Sequence, residues 1–174
     1  KVNAEPLQAS TDNGMSLDEW KKAADQLVED VTSEGIVLLK NQNQTLPLAK
    51  GSKVTLFGRS SVDLVLGGTG AGNINTDYVV DLKSAMEDDG RFTINSTIWD
   101  FYKTYDGKDG YVRSNGGYMG AKPEDIYTAE VPVSEYTDKV KQSYIDYNDA
   151  AIVVFSRVGG EASDMPTGAF GDGE

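Results

Sequence analysis

The chain has 174 residues, enough for one domain, with 39% hydrophobic residues and 16 Lys and Arg against 28 Asp and Glu, a net charge of -12. That acidic balance argues against nucleic acid or an anionic membrane as partner, because both need a basic face. With no cysteine and no histidine, the residues exclude disulfides, thiol nucleophiles, Ser-His-Asp and Cys-His catalysis, and every histidine-based metal site.

Residues 1–15 are polar and aperiodic and read as a lead-in segment; residues 16–174 read as the domain. Ser16 and Glu19 have the spacing of a capping box. The helix they open places Leu17, Trp20, Ala24, Leu27, Val28 and Val31 on one face and ends near Gly35. Ile36-Val37-Leu38-Leu39 reads as a short buried segment, and Asn41 to Pro47 as a turn. Lys53 to Phe57 is the first sheet strand, followed by a glycine-rich loop at 67–72. Val79, Val80, Leu82, Ala85 and Met86 suggest a helix ending near Gly90, and Phe92-Thr93-Ile94 a second strand. Ser96 is placed to cap a short helix reaching Tyr105. Residues 106–133 read as a long irregular excursion. Ser134 and Asp138 open a last helix running to about Tyr147, and 150–156 is a strand expected to be buried on both faces.

Strand, helix, strand, helix, strand is the order of an α/β fold: a parallel sheet flanked by helices with right-handed crossovers. The first strand should lie between the other two, the flavodoxin-like order. Three strands leave two open edges, so the chain reads as part of a larger domain. No apolar run approaches the length of a membrane span, and the compartment stays open between bacterial cytoplasm and secretion.

Ligands of open α/β sheets bind outside the carboxyl ends of the strands. After the last strand come Gly159 and Gly160, then the carboxylate of Glu161. Glu161 therefore stands where a catalytic acid or base would be placed; the plain alternative is an exposed loop charge. Asp164, three residues on, is a partner carboxylate, a turn former or a surface charge. Tyr111 and Tyr118, in the glycine-rich excursion, are candidates for stacking on a sugar, whereas Trp99 and Tyr102 sit at helical spacing and read as core. The loop at 67–72 fails as a phosphate cradle, since position 73 is Asn73 and no Gly-Lys-Ser/Thr follows. Asn43-Gln44-Thr45 and Asn95-Ser96-Thr97 match glycosylation sequons, which arise often by chance.

Several blocks, in order, resemble glycoside hydrolase family 3. Glu34 to Asn41 with Leu46-Pro47-Leu48 is similar to the "ESIVLLKN…LPL" block that opens that family's (α/β)6-sandwich domain. Val54 to Gly58 resembles its first strand, Gly67 to Gly72 its glycine-rich loop, and Asp149 to Asp164 its "D-x-A-I-V-V-x-x-R-x-G-G-E-G-x-D" segment. Ala162 departs from the glycine usual there. The resemblance implies a truncated (α/β)6-sandwich belonging to a retaining, exo-acting, β-glucosidase-like enzyme that removes terminal sugars from β-glycosides or oligosaccharides. It implies Glu161 as general acid/base, lent to an active site on a separate (β/α)8-barrel domain of the same protein. It implies no cofactor and no metal.

The family's aspartate nucleophile in a Ser-Asp-Trp setting has no counterpart, since Ser163-Asp164 is followed by Met165. This polypeptide alone is accordingly expected to be inactive. The lead-in lacks the expected barrel-to-sandwich linker, which suggests the order with the sandwich domain first. The rival reading is a non-catalytic carbohydrate-binding or scaffold domain built on the aromatic excursion.

Overall fold

The computed structural model describes residues 14–67, 79–111, 114–115, 126–127 and 129–156. The chain forms two compact units, Lys1–Leu46 and Pro47–Glu174. In the first unit, helix α1 spans Leu17–Gly35. The capping box is formed: Glu19 N–H donates to Ser16 Oγ at 3.3 Å, and Ser16 N–H donates to the Glu19 carboxylate at 2.8 Å. The bonds that Ser16 donates to that carboxylate, from its backbone N–H first and then from its hydroxyl at 2.7 Å, hold the Glu19 carboxyl below its ordinary value.

None of the α1 residues is buried, and Leu17, Trp20, Leu27, Val28 and Val31 are all exposed. The expectation of a buried segment at Ile36–Leu39 also fails, with Leu39 92% exposed. Hydrophobicity supplies the drive to bury a segment, but another element must cover it. The described part of this unit offers only α1 and a single 3-10 turn at Gln42–Gln44.

The second unit is built on a three-stranded parallel sheet of β1 (Ser52–Phe57), β2 (Phe92–Ile94) and β5 (Ala150–Val153), in the order β2-β1-β5. The central place of the first strand is as the alternation predicts. β1 pairs with β2 through Ser52↔Phe92 to Val54↔Ile94, and with β5 through Val54↔Ala150 to Phe57↔Val153. Helices α2 (Leu82–Glu87), α3 (Ser96–Lys103) and α4 (Asp138–Asp146) flank the sheet. A two-residue antiparallel ladder joins β3 (Ser114–Asn115) to β4 (Ile126–Tyr127).

Side chains alternate across a strand, so β1 feeds two clusters. Val54 and Leu56 pack with Ile94 and Trp99, lined by Leu48, Leu82 and Met86. Phe57 packs against Ile98, Tyr102, Tyr105, Val131 and Val140. Full burial of Val54 and Leu56 contributes roughly 1.5–3 kcal/mol each.

Two caps differ from expectation. Asn95, not Ser96, caps α3: its Oδ1 accepts from Thr97 N–H at 3.1 Å and Ile98 N–H at 3.4 Å. Thr137, not Ser134, caps α4. In both places the residue with extended backbone before the first helical turn holds the position; Ser96 is already the first residue of α3, and Ser134 lies in a separate 3-10 turn, Val133–Glu135. Asn95 also donates from Nδ2 to Thr55 Oγ1 at 3.2 Å and Ser143 Oγ at 3.0 Å. It is fully buried, so the sequon it opens presents no acceptor on the folded surface.

Candidate functional site at the carboxyl edge of the sheet

The sheet reverses its strand order between β1 and β5, because the chain leaves β1 toward β2 on one side and β5 lies on the other. Open α/β folds place their ligands in the crevice at that reversal. The residues beyond β1 there are Gly58, Arg59, Ser60 and Ser61, the last three buried. Beyond β5 come Val154, Phe155 and Ser156.

Gly58 is the pivot. Its φ of 89° lies in the left-handed region, where residues with a side chain are strained. A Cβ on it would come within 2.7 Å of the Val154 carbonyl oxygen. Glycine thus lets the ends of β1 and β5 approach, and Val154 N–H donates to Phe57 O at 3.0 Å, carrying the ladder one step past β5.

Two side chains secure this turn. Gly58 N–H donates to the Tyr102 hydroxyl at 3.0 Å, and the Tyr102 and Tyr136 hydroxyls share a short hydrogen bond. Burial pushes the Tyr102 hydroxyl well above its ordinary value, and the bond to Tyr136 adds to the shift. Glu130 bridges two backbone donors: Oε2 accepts from Arg59 N–H at 2.8 Å, and Oε1 from Val131 N–H at 2.9 Å.

Arg59 is 2% exposed and paired with Asp63 at 2.6 Å and Asp106 at 3.4 Å. Its buried cation needs those carboxylates, since an unpaired charge there would be costly. Its Nε, Ser61 Oγ and Ser156 Oγ are buried with no hydrogen-bond partner among the described residues. Among the described residues beside this turn, Arg59 stands against the carboxylates of Asp63, Asp106 and Glu130, a net acidic set. Among the described residues no group of three or more metal-ligating side chains could hold a metal ion, and no helix is long and apolar enough to cross a membrane.

Tyr111 is half-buried, its ring edge-on to Tyr105 with centroids 4.7 Å apart. Lys108 Nζ lies 4.2 Å from the Tyr105 centroid and 5.3 Å from that of Tyr111. Trp99 and Tyr102 are core, as their spacing predicts. Glu161, Asp164, Tyr118 and the glycines at 68, 70 and 72 lie outside the described residues. The Gly58–Ser61 turn and its Glu130 bridge were not singled out from the sequence. The available signal was a Gly-Arg pair directly after a buried strand.

Residues 36–172 match the Glycosyl hydrolase family 3 C-terminal domain. The chain belongs to that family. It is 32% identical over 139 residues to Beta-glucosidase A of Butyrivibrio fibrisolvens, a match covering 78% of this chain and 15% of that protein. Among solved structures it resembles a β-glucosidase from Paenibacillus barengoltzii, with TM-score 0.58 and 30% identity over 76% of this chain and 14% of that one. It also resembles β-glucosidase 3B from Thermotoga neapolitana, solved with α-D-glucose, with TM-score 0.61 and 27% identity over 86% of this chain and 19% of that one. The family 3 chain thus spans a small part of the relatives it matches, and its parallel sheet is that of the family's α/β sandwich.

Proposed function

We propose that this domain serves a retaining, exo-acting, β-glucosidase-like enzyme that removes terminal sugars from β-glycosides or oligosaccharides, and that Glu161 is its general acid/base. The reading is supported by the order of residues in a family 3 sequence: Gly159-Gly160-Glu161 follow in the chain a few residues after β5, a strand of a parallel sheet of the kind that binds ligands beyond its carboxyl ends. A retaining glycosidase needs two carboxyl groups about 5–5.5 Å apart. One attacks the anomeric carbon while the other protonates the leaving oxygen; the second then takes the proton of the attacking water. Glu161 fills the second role. The nucleophile comes from a (β/α)8-barrel domain of the same protein, so residues 1–174 alone hydrolyse no glycoside. Asp164, Tyr111 and Tyr118 are proposed substrate contacts.

General acid catalysis contributes typically ~10²–10⁴-fold. In the whole enzyme, Glu161→Gln should therefore lower turnover of an unactivated disaccharide by about that factor, and glycosylation by an activated aryl glycoside far less. Asp164→Asn is the control. Near-full activity of Glu161→Gln on the disaccharide, with Asp164→Asn inactive, moves the role to Asp164.

A further inference from the structure

We propose that Lys108 joins Tyr111 as a contact for a sugar of the substrate, and that the turn from Tyr105 to Tyr111 presents the two side chains together. The inference rests on the reading of Tyr111 as a substrate contact, and adds to it a hydrogen-bond donor beside the ring.

The turn lies at the carboxyl end of β1. Arg59, two residues past that strand, donates from Nη2 to Asp106 Oδ1 at 3.4 Å. Ligands of open α/β sheets bind beyond the same end. The turn is held in one shape by its backbone. Tyr105 N–H donates to Tyr102 O at 3.0 Å, and Asp106 N–H to Lys103 O at 3.1 Å. Lys108 N–H follows to Tyr105 O at 3.2 Å, and Tyr111 N–H to Lys108 O at 3.0 Å. Beneath it Tyr105 is buried, and its hydroxyl donates to Glu135 Oε2 at 3.1 Å. The Tyr111 ring stands edge-on to this anchored ring, with centroids 4.7 Å apart.

Lys108 is exposed, and its Nζ lies 4.2 Å from the Tyr105 centroid and 5.3 Å from that of Tyr111. Ring faces attract an ammonium without consuming its N–H donors in an ion pair. Among the described residues Lys108 pairs with no carboxylate, whereas Arg59 and Lys83 both do. A half-buried ring and an ammonium with donors to spare thus stand side by side. A sugar offers the matching chemistry: C–H groups that pack on a ring, and hydroxyl oxygens that accept from N–H.

The test measures KM and kcat of the whole enzyme on an unactivated β-linked disaccharide, with thermal unfolding in parallel. Lys108→Met keeps most of the stem and removes the donors. It should raise KM about 3- to 10-fold, the worth of one net hydrogen bond, with kcat and the unfolding midpoint close to wild type. Tyr111→Ala tests the reading of the tyrosine by itself and should also raise KM.

A raised KM in Tyr111→Ala with an unchanged one in Lys108→Met would overturn the lysine contact alone. An unchanged KM in folded Tyr111→Ala would overturn the reading of Tyr111, and with it the pairing proposed here. A fall in kcat at constant KM in Lys108→Met, or a KM rise accompanied by a lowered unfolding midpoint, would make the lysine structural and overturn its contact with the sugar. If Tyr111→Ala does not fold, Lys108→Met decides.

Discussion

β1 and β5 lie side by side in one sheet, both read as apolar strands, and they have opposite fates. Val54, Thr55 and Leu56 of β1 are sealed from solvent, whereas β5 alternates between half-buried and exposed residues. Val153 is 52% exposed, and Phe155, just beyond the strand, 88%. The expectation that 150–156 forms a strand buried on both faces fails in length and in burial. A central strand has neighbours on both edges and helices over it; among the described residues β5 has β1 on one edge only. Apolar composition shows that a strand can be buried, and position in the sheet decides whether it is.

That contrast predicts a graded response to mutation. Leu56→Ala should cost about 2–5 kcal/mol in urea or thermal unfolding, since it opens a cavity in a packed cluster. Phe155→Ala removes a larger side chain and should change stability by no more than about 0.5 kcal/mol. Comparable losses at the two positions would mean that β5 is covered in solution.

The next effect is at the crossing of β1 with α3 and α4. Asn95→Ala removes a helix cap and leaves Thr55 and Ser143 short of a partner, for about 1–3 kcal/mol. Among the described residues no comparable polar tie holds β5, which is clipped at its start by Asp149 accepting from Lys53 N–H at 2.8 Å. Asp149→Ala should therefore cost less than Asn95→Ala, at about 0.5–1.5 kcal/mol.

The β1 exit also has a pH signature. Burial raises both the Tyr102 and Tyr136 hydroxyls above their ordinary value of 10.0. A group raised in the folded state contributes its stability in full below the unfolded value and loses it as pH rises beyond it. Stability should decline above about pH 10, and Tyr102→Phe should flatten that decline. At the β2 edge the sign reverses. Glu87 is held below its ordinary 4.5 chiefly by the Lys83 hydrogen bond, with Ile94 N–H also donating to it. That contribution is present above pH 4.5 and lost as pH falls through the lower folded value. Lys83→Met should remove only about 0.2–0.5 kcal/mol near neutral pH, because the pair is partly exposed.

Local signals were legible in the sequence. The capping box at Ser16 and Glu19, the strand at 53–57 and the short strand at 92–94 carry their cause within a few residues. Alternation of elements was enough to put β1 at the centre. What was not legible depends on distant partners. The clash that makes glycine necessary at 58 comes from the Val154 carbonyl, and the brace on Arg59 N–H from Glu130. Exposure of the α1 face and of Ile36–Leu39 likewise depends on what covers them, which a periodic pattern does not specify. Glu161 was singled out as a carboxylate two glycines after a strand, and its role came from the family resemblance; it lies outside the described residues.

The most direct test of the central claim is the product formed by the Glu161→Gln enzyme from a dinitrophenyl β-glucoside in the presence of azide. Without a general base, water attacks the glycosyl-enzyme slowly, whereas azide needs no base. Because the first displacement inverts the anomeric carbon and the second inverts it again, NMR should show the β-glucosyl azide, with azide restoring turnover. Unimpaired hydrolysis of unactivated disaccharides by Glu161→Gln, with no glucosyl azide formed, would contradict the account.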